Sequence, residues 1–204
     1  MFRNLCLLIG SILLMFSSYA SANGDIAAGK TKSTVCAACH GNDGNGVEAL
    51  PNQPRLAGQH AEYTEKQIRD YKSKNRVNAI MAPMVASLSD QDIADIAVYY
   101  ASLKGSTGSS SPDQVESGEK LYRAGDASSG LAACMACHGP SGKGNPAAKY
   151  PSLAGQFSQY TAVQLKAFKS EARANDSNNV MRNIAAKMTN DEIDAVSDYI
   201  EGLH

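Results

Sequence analysis

The chain carries 19 lysines and arginines against 20 aspartates and glutamates in 204 residues, a formal net charge of −1. With no basic block in that balance, nucleic acid is not an expected partner. Hydrophobic residues at 43% and charged residues at 19% describe an ordinary soluble protein, and past the N-terminus no segment reads as long and apolar enough to cross a bilayer.

The N-terminus reads as a secretory signal. Arg3 supplies the positive start, Leu5–Phe16 the apolar stretch, and Ala20-Ser21-Ala22 a small-residue cleavage site. Residues 1–22 are therefore expected to be removed, leaving Asn23 as the mature start. An uncleaved anchor fits less well, because the apolar run is short for a full span. Cleavage takes Cys6 with it. The four remaining cysteines fall in one pentapeptide written twice, Cys36-Ala37-Ala38-Cys39-His40 and Cys134-Met135-Ala136-Cys137-His138.

Cys-x-x-Cys-His is the attachment signature of a c-type haem. Residues three and four apart share one face of a helix, so both thiols and the imidazole of each motif point the same way. Two thiols can then capture the vinyl groups of one porphyrin as thioethers while His40 or His138 ligates its iron. A zinc knuckle or a thioredoxin-like redox pair leaves the histidine after the second cysteine unexplained in both copies. Two covalently bound haem c groups are thus expected, on Cys36 with Cys39 and on Cys134 with Cys137. No mature thiol is then left for a disulfide. Covalent haem c is attached outside the cytoplasm in bacteria, which agrees with the export signal. The absence of tryptophan and an aromatic content of 6% suit a core filled partly by cofactor.

The rest of the chain is also written twice. Gly41-Asn42-Asp43-Gly44-Asn45-Gly46 answers Gly139-Pro140-Ser141-Gly142-Lys143-Gly144, and Pro54-Arg55-Leu56-Ala57-Gly58-Gln59 answers Pro151-Ser152-Leu153-Ala154-Gly155-Gln156. Tyr63, Lys72 and Arg76 pair with Tyr160, Lys169 and Arg173. Each copy ends in a capping-box spacing, Ser89 with Asp92 and Thr189 with Glu192. After it come apolar residues at helical period: Ile93, Ile96, Ala97 and Tyr100, then Ile193, Val196 and Ile200. A Gly/Ser-rich stretch separates the copies. The expected organisation is all-α, with domains over 23–104 and 116–204 and a linker over 105–115. The second copy carries an insertion around Gly125–Gly130.

The residue opposite each histidine decides function. A methionine makes an electron carrier, because a soft thioether stabilises Fe(II), whereas an open face makes an enzyme or sensor. With the terminal helices aligned, Met81 falls opposite Met181, Met84 opposite Ile184, and Met188 opposite Leu88. Met81 and Met181 are the expected axial ligands, and Met84 and Met188 read as core or pocket packing. His60 and His204 have no histidine counterpart and read as surface residues. Met135 reads as a tolerated spacer inside its motif. No acidic residue recurs in register to hold the ligating imidazoles, so a backbone carbonyl is the expected partner. Pro54 and Pro151 sit in matching loops.

The paired motifs, the two Pro-x-Leu-Ala-Gly-Gln segments, the Met81 and Met181 positions, the run Leu88–Ile93 and the ending Ser197–His204 together resemble the dihaem cytochrome c4 family over essentially the whole mature chain. The resemblance implies two class I cytochrome c domains related by a pseudo-twofold axis, with haem propionates near their interface. It implies iron ligation by His40 with Met81 and by His138 with Met181, and the Pro54 and Pro151 carbonyls as partners of the histidines. It implies a periplasmic electron carrier rather than an enzyme, sometimes peripherally membrane-associated, passing electrons from the bc1 complex side to a terminal oxidase or another redox protein. The alternatives are the cytochrome subunit of a flavocytochrome c sulfide dehydrogenase-like complex and a dihaem peroxidase. The mature polypeptide is only mildly acidic, with nine basic and nine acidic residues up to Lys104 and nine basic and eleven acidic after it. Strong electrostatic steering of a partner is not expected.

Overall fold

The computed structural model describes residues 24–204, so the export signal read over 1–22, with Cys6, lies outside the described residues. Among the described residues the chain is helical, and the extended pairings are isolated bridges, Asp126 with Leu131 and Asn145 with Tyr150. The first repeat runs α1 (Ile26–Lys32), a 3-10 turn (Ser33–Cys36), α2 (Ala37–His40), α3 (Ala61–Lys72), α4 (Met81–Val85) and α5 (Asp90–Ser102). The second follows with α6 (Pro112–Ala124), α7 (Met135–His138), α8 (Ser158–Lys169), a 3-10 turn (Ser177–Asn179), α9 (Val180–Ala185) and α10 (Asn190–Gly202).

The last helix of each repeat is set by its own sequence. Ser89 and Asp92 form a reciprocal capping box at the start of α5, and Thr189 and Glu192 do the same for α10. The two orphan donors at each helix start are thereby satisfied. Ile93, Ile96, Ala97 and Tyr100 are then buried on one face, as are Ile193, Val196 and Ile200. Each of those isoleucine and valine side chains stabilises its domain by about 1.5–3 kcal/mol on burial.

Against that helix each repeat packs its first one, at a glycine. A Cβ built on Gly29 would stand 2.0 Å from the Asp95 carbonyl oxygen of α5, and one on Gly118 would stand 2.3 Å from the Ala195 carbonyl oxygen of α10. Only a residue without a side chain lets these backbones approach so closely. Two separate small cores result. One gathers Ile68, Val85, Ile93, Ile96, Tyr99 and Tyr100, and the other is built around Leu121, Tyr122, Leu131, Met188, Val196 and Ile200.

Helix α6 begins at Pro112, inside the stretch that composition marks as linker. Proline suits the first helical turn, having a fixed φ and no N–H to leave unpaired. Ser111 anchors this start, its N–H and Oγ both donating to the Asp198 carboxylate at 2.8 Å. The preceding stretch is strapped down as well. Ser106 N–H donates to Asn45 Oδ1 at 2.7 Å, and Gly108 N–H donates to the Glu201 carbonyl at 3.0 Å.

Candidate functional site

Each Cys-x-x-Cys-His pentapeptide occupies a tight helical passage that ends on its histidine, in α2 and in α7. A glycine with positive φ, Gly41 at 79° and Gly139 at 77°, turns the chain immediately afterwards. The turn is then closed in the same way twice. Gly46 N–H donates to the His40 carbonyl and Gly144 N–H to the His138 carbonyl, both at 2.8 Å. Leu56 N–H and Leu153 N–H next donate to the carbonyls of Gly44 and Gly142, both at 2.7 Å. The glycine-rich loop thus delivers the Pro-x-Leu-Ala-Gly-Gln segment beside the histidine.

That delivery gives each imidazole its partner. His40 Nδ1 lies 2.8 Å from the Pro54 carbonyl oxygen, and His138 Nδ1 lies 3.0 Å from that of Pro151. A carbonyl can only accept, so Nδ1 carries the proton and Nε2 is left with a free lone pair. Both rings are buried, 5% and 7% exposed. Burial holds both below the ordinary histidine pKa and outweighs the opposing pull of the carbonyl. The rings are therefore neutral near pH 7, the form that binds a metal.

The thiols do not resemble a redox pair. Burial pushes the Cys134 thiol up to about 11 and also raises Cys36. Reactive Cys-x-x-Cys pairs need the opposite shift, toward thiolate. A zinc site fares no better, since among the described residues no three His, Cys, Asp or Glu side chains converge as a metal cage. Paired thiols beside a neutral imidazole, bordered by a small apolar core, fit a covalent porphyrin.

The methionines separate by position. Met81 opens α4 and packs, with Cys36, against the first core. Met181 holds the matching place in the first turn of α9 and is partly buried. Met188 is 3% exposed and belongs to the second core. Met84 departs from the packing expectation, being 45% exposed. On the short helix α4, Val85 turns inward, and Met84, one residue earlier, is rotated by about 100° from it. Met135 leans on the second core from inside its motif. His204 is exposed, as expected of a surface residue. His60 is not a simple surface residue: it is partly buried, and its Nε2 donates across to the Lys143 carbonyl of the other repeat at 2.6 Å.

That contact belongs to an interface between the repeats whose residues recur in the sequence without announcing a role there. Arg76 donates to Gln67 Oε1 within its own repeat at 2.9 Å, and across the interface to Tyr160 Oη at 3.0 Å and Gln164 Oε1 at 2.6 Å. Arg173 mirrors it, donating to Gln164 Oε1 at 2.9 Å and across to Tyr63 Oη and Gln67 Oε1, both at 3.0 Å. The two guanidiniums lie over Tyr71 and Phe168, 4.7 and 4.4 Å from the ring centres. Their hydrogen-bond partners are neutral oxygens, so neither guanidinium is paired directly with a carboxylate. Burial opposes ionisation of Tyr63, yet Arg173 and Arg76 outweigh it and hold the phenol below its usual range. The signal that could have located these residues is their recurrence: polar side chains kept in both copies where no haem motif requires them.

Comparison with known proteins follows the same division. The family profile described as Cytochrome c matches twice, over residues 26–104 and 115–204. Cytochrome c4 of Azotobacter vinelandii is 47% identical over 203 residues, covering 95% of this chain and 96% of its own. The crystal structure of reduced recombinant cytochrome c4 from Pseudomonas stutzeri superposes with a TM-score of 0.86 at 46% identity, over 89% of this chain and all of that one. A protein of Stutzerimonas stutzeri described as a thiosulfate dehydrogenase electron acceptor is 38% identical, over 83% of this chain and 79% of its own.

Proposed function

Because the chain belongs to the cytochrome c family, as a dihaem cytochrome of the c4 type with two covalently bound haem c groups, we propose that it is a periplasmic carrier whose irons are ligated by His40 with Met81 and by His138 with Met181. The observation that carries this reading is the duplicated neutral imidazole, buried next to its paired cysteines with Nδ1 on a proline carbonyl. When bound, each haem supplies one reversible Fe(III)/Fe(II) couple.

The protein's own residues prepare for that couple. Cys36 with Cys39, and Cys134 with Cys137, would hold each porphyrin through thioethers. Pro54 and Pro151 fix ring orientation and tautomer, which leaves the Nε2 lone pair of each histidine free to take a metal. Met81 and Met181, each on a short helix packed beside the preceding long one, offer a soft thioether that favours Fe(II). With both protein ligands in place, each iron would have no site for water or substrate, which supports electron transfer and argues against a peroxidase. The guanidiniums of Arg76 and Arg173, unpaired with carboxylates, would favour the acidic edges of two haems near them. The twofold profile match, over 26–104 and 115–204, supports a division into two domains, proposed over 23–104 and 116–204. Among the described residues no helix is long and apolar enough to cross a membrane.

In this reading the carrier accepts electrons from the bc1 complex side and delivers them to a terminal oxidase. A second route, reception from a periplasmic dehydrogenase, draws support from the relative described as a thiosulfate dehydrogenase electron acceptor. Redox titration of the purified holoprotein with optical and EPR detection tests the site. Two low-spin haems, each with a methionine–iron band in the far red, are expected. One high-spin haem, or rapid peroxide turnover, would sink the carrier reading. Stopped-flow mixing with reduced bc1 complex and with thiosulfate dehydrogenase separates the two routes.

A further inference from the structure

The peptide group that orients each iron ligand is held at its other end by the opposite repeat. The Pro54 carbonyl accepts from His40 Nδ1 at 2.8 Å. The N–H of the same peptide plane, on Arg55, donates to Gln156 Oε1 at 2.9 Å, and Gln156 Nε2 donates back to the Arg55 carbonyl at 2.9 Å. The second repeat repeats this in reverse. The Pro151 carbonyl accepts from His138 Nδ1 at 3.0 Å, Ser152 N–H donates to Gln59 Oε1 at 2.9 Å, and Gln59 Nε2 donates to the Ser152 carbonyl at 2.9 Å. Each glutamine is itself steadied, its Oε1 also accepting the next backbone N–H, from His60 at 3.0 Å or Phe157 at 3.1 Å.

We propose that Gln59 and Gln156 are crossed positioning residues, through which each repeat sets the basicity of the other repeat's haem histidine. The inference rests on His40 and His138 being iron ligands. A peptide group is delocalised over O, C and N. An acceptor on its N–H therefore drives density toward its oxygen, and linked hydrogen bonds strengthen one another by roughly 10–30% each. A stronger carbonyl acceptor makes the imidazole a better donor to iron. That favours Fe(III) and lowers the haem's potential. A clamp between domains would need only some contact at this interface. Here both glutamines bracket the one residue whose N–H shares a plane with the ligand's carbonyl partner.

The chain is asymmetric at this point, which gives the two haems different surroundings. Beside Gln156 the bracketed residue is Arg55, 9% exposed, with its guanidinium 4.0 Å from the Phe157 ring centre and donating to the Gly155 carbonyl. Beside Gln59 it is Ser152, without a charge.

The holoprotein variants Gln156→Met and Gln59→Met keep side-chain length and remove the acceptor. The readouts are the Nδ1–H resonance of each haem histidine in the reduced protein, by NMR, and the reduction potential of each haem. Gln156→Met is expected to move the His40 Nδ1–H upfield and raise the first haem's potential, leaving the His138 resonance in place. Gln59→Met should do the converse. Gln156→Glu, whose carboxylate is the stronger acceptor, should move the His40 proton the opposite way, downfield. Variants that move the haem of their own repeat, move both alike, or move neither would overturn the inference while leaving ligation intact. A parent protein with no haem-shifted imidazole Nδ1–H would overturn the ligation reading, and this inference with it.

Discussion

A histidine that binds iron must be neutral and held in one orientation, and His40 and His138 meet both demands through burial and a proline carbonyl. The opposite ligand is a harder choice among the four methionines that follow the haem motifs. Met188 is committed to the second core, and Met84 faces solvent, which leaves Met81 and Met181 at matching places on α4 and α9. Met81→Leu and Met181→Leu should each abolish the far-red band of one haem, about half the total, and lower that haem's potential, because the thioether favouring Fe(II) is gone. Met84→Leu should leave both bands. Optical spectra of the oxidised variants check this, and a full band in Met81→Leu would assign the ligand elsewhere. Met81 and Met181 are proposed from the repeat alignment, whereas the paired haem motifs were legible because covalent attachment demands particular atoms at a particular spacing. The solvent-facing turn of Met84 was not, since repeat alignment says which residues correspond and nothing about which way a five-residue helix rolls.

Helices α5 and α10 were legible down to their first turns, since a capping box needs only two residues three apart and an apolar stripe after them. The glycines at which α1 and α6 cross them were not. Nothing local to Gly29 or Gly118 names the helix it will meet. The caps also carry a pH dependence. The Asp92 carboxylate accepts from Lys32, 2.8 Å away, and from Ser89, and these contacts depress its pKa from 3.8 to about 2. A carboxyl with a depressed folded-state pKa contributes stability that is complete above its unfolded value and disappears as pH falls through the folded one. Its contribution to the α5 start should therefore be full above pH 3.8 and fade toward about pH 2. Asp92→Asn should lower the thermal midpoint of the first repeat at neutral pH, with the gap to the parent closing across that window. Midpoints measured by circular dichroism from pH 7 to 2 provide the check, and a gap independent of pH would assign the effect to packing.

At the scale of the molecule, the two repeats interlock residue for residue: what Arg76, Gln59 and Gln67 do to the second repeat, Arg173, Gln156 and Gln164 do to the first. Such reciprocity is what a twofold contact requires. The sequence displayed these pairs as a duplication, but a duplication is equally compatible with two beads on a flexible string. Only the fold reveals that the recurring polar side chains face each other, because the contacts span about a hundred positions of chain. The arginine pair is the part of this interface whose removal should cost most. Arg173 supplies donors to Gln67, Gln164, Tyr63 and Asn175, all within 3.0 Å. Arg173→Met keeps the apolar stem and strands the Tyr63 hydroxyl oxygen and the Asn175 amide oxygen, while Gln67 and Gln164 keep the donors of Arg76, at about 1–3 kcal/mol for each oxygen left buried and unpaired. Arg173→Lys restores the charge without the planar fork, so it should recover only part of the loss. Denaturant midpoints should fall in the order parent, Arg173→Lys, Arg173→Met. In Arg173→Met the two haems should report separate unfolding transitions, and small-angle scattering should detect a larger radius of gyration. A parental midpoint and radius in that variant would mean that the glutamine brackets and the strapped linker alone hold the repeats together.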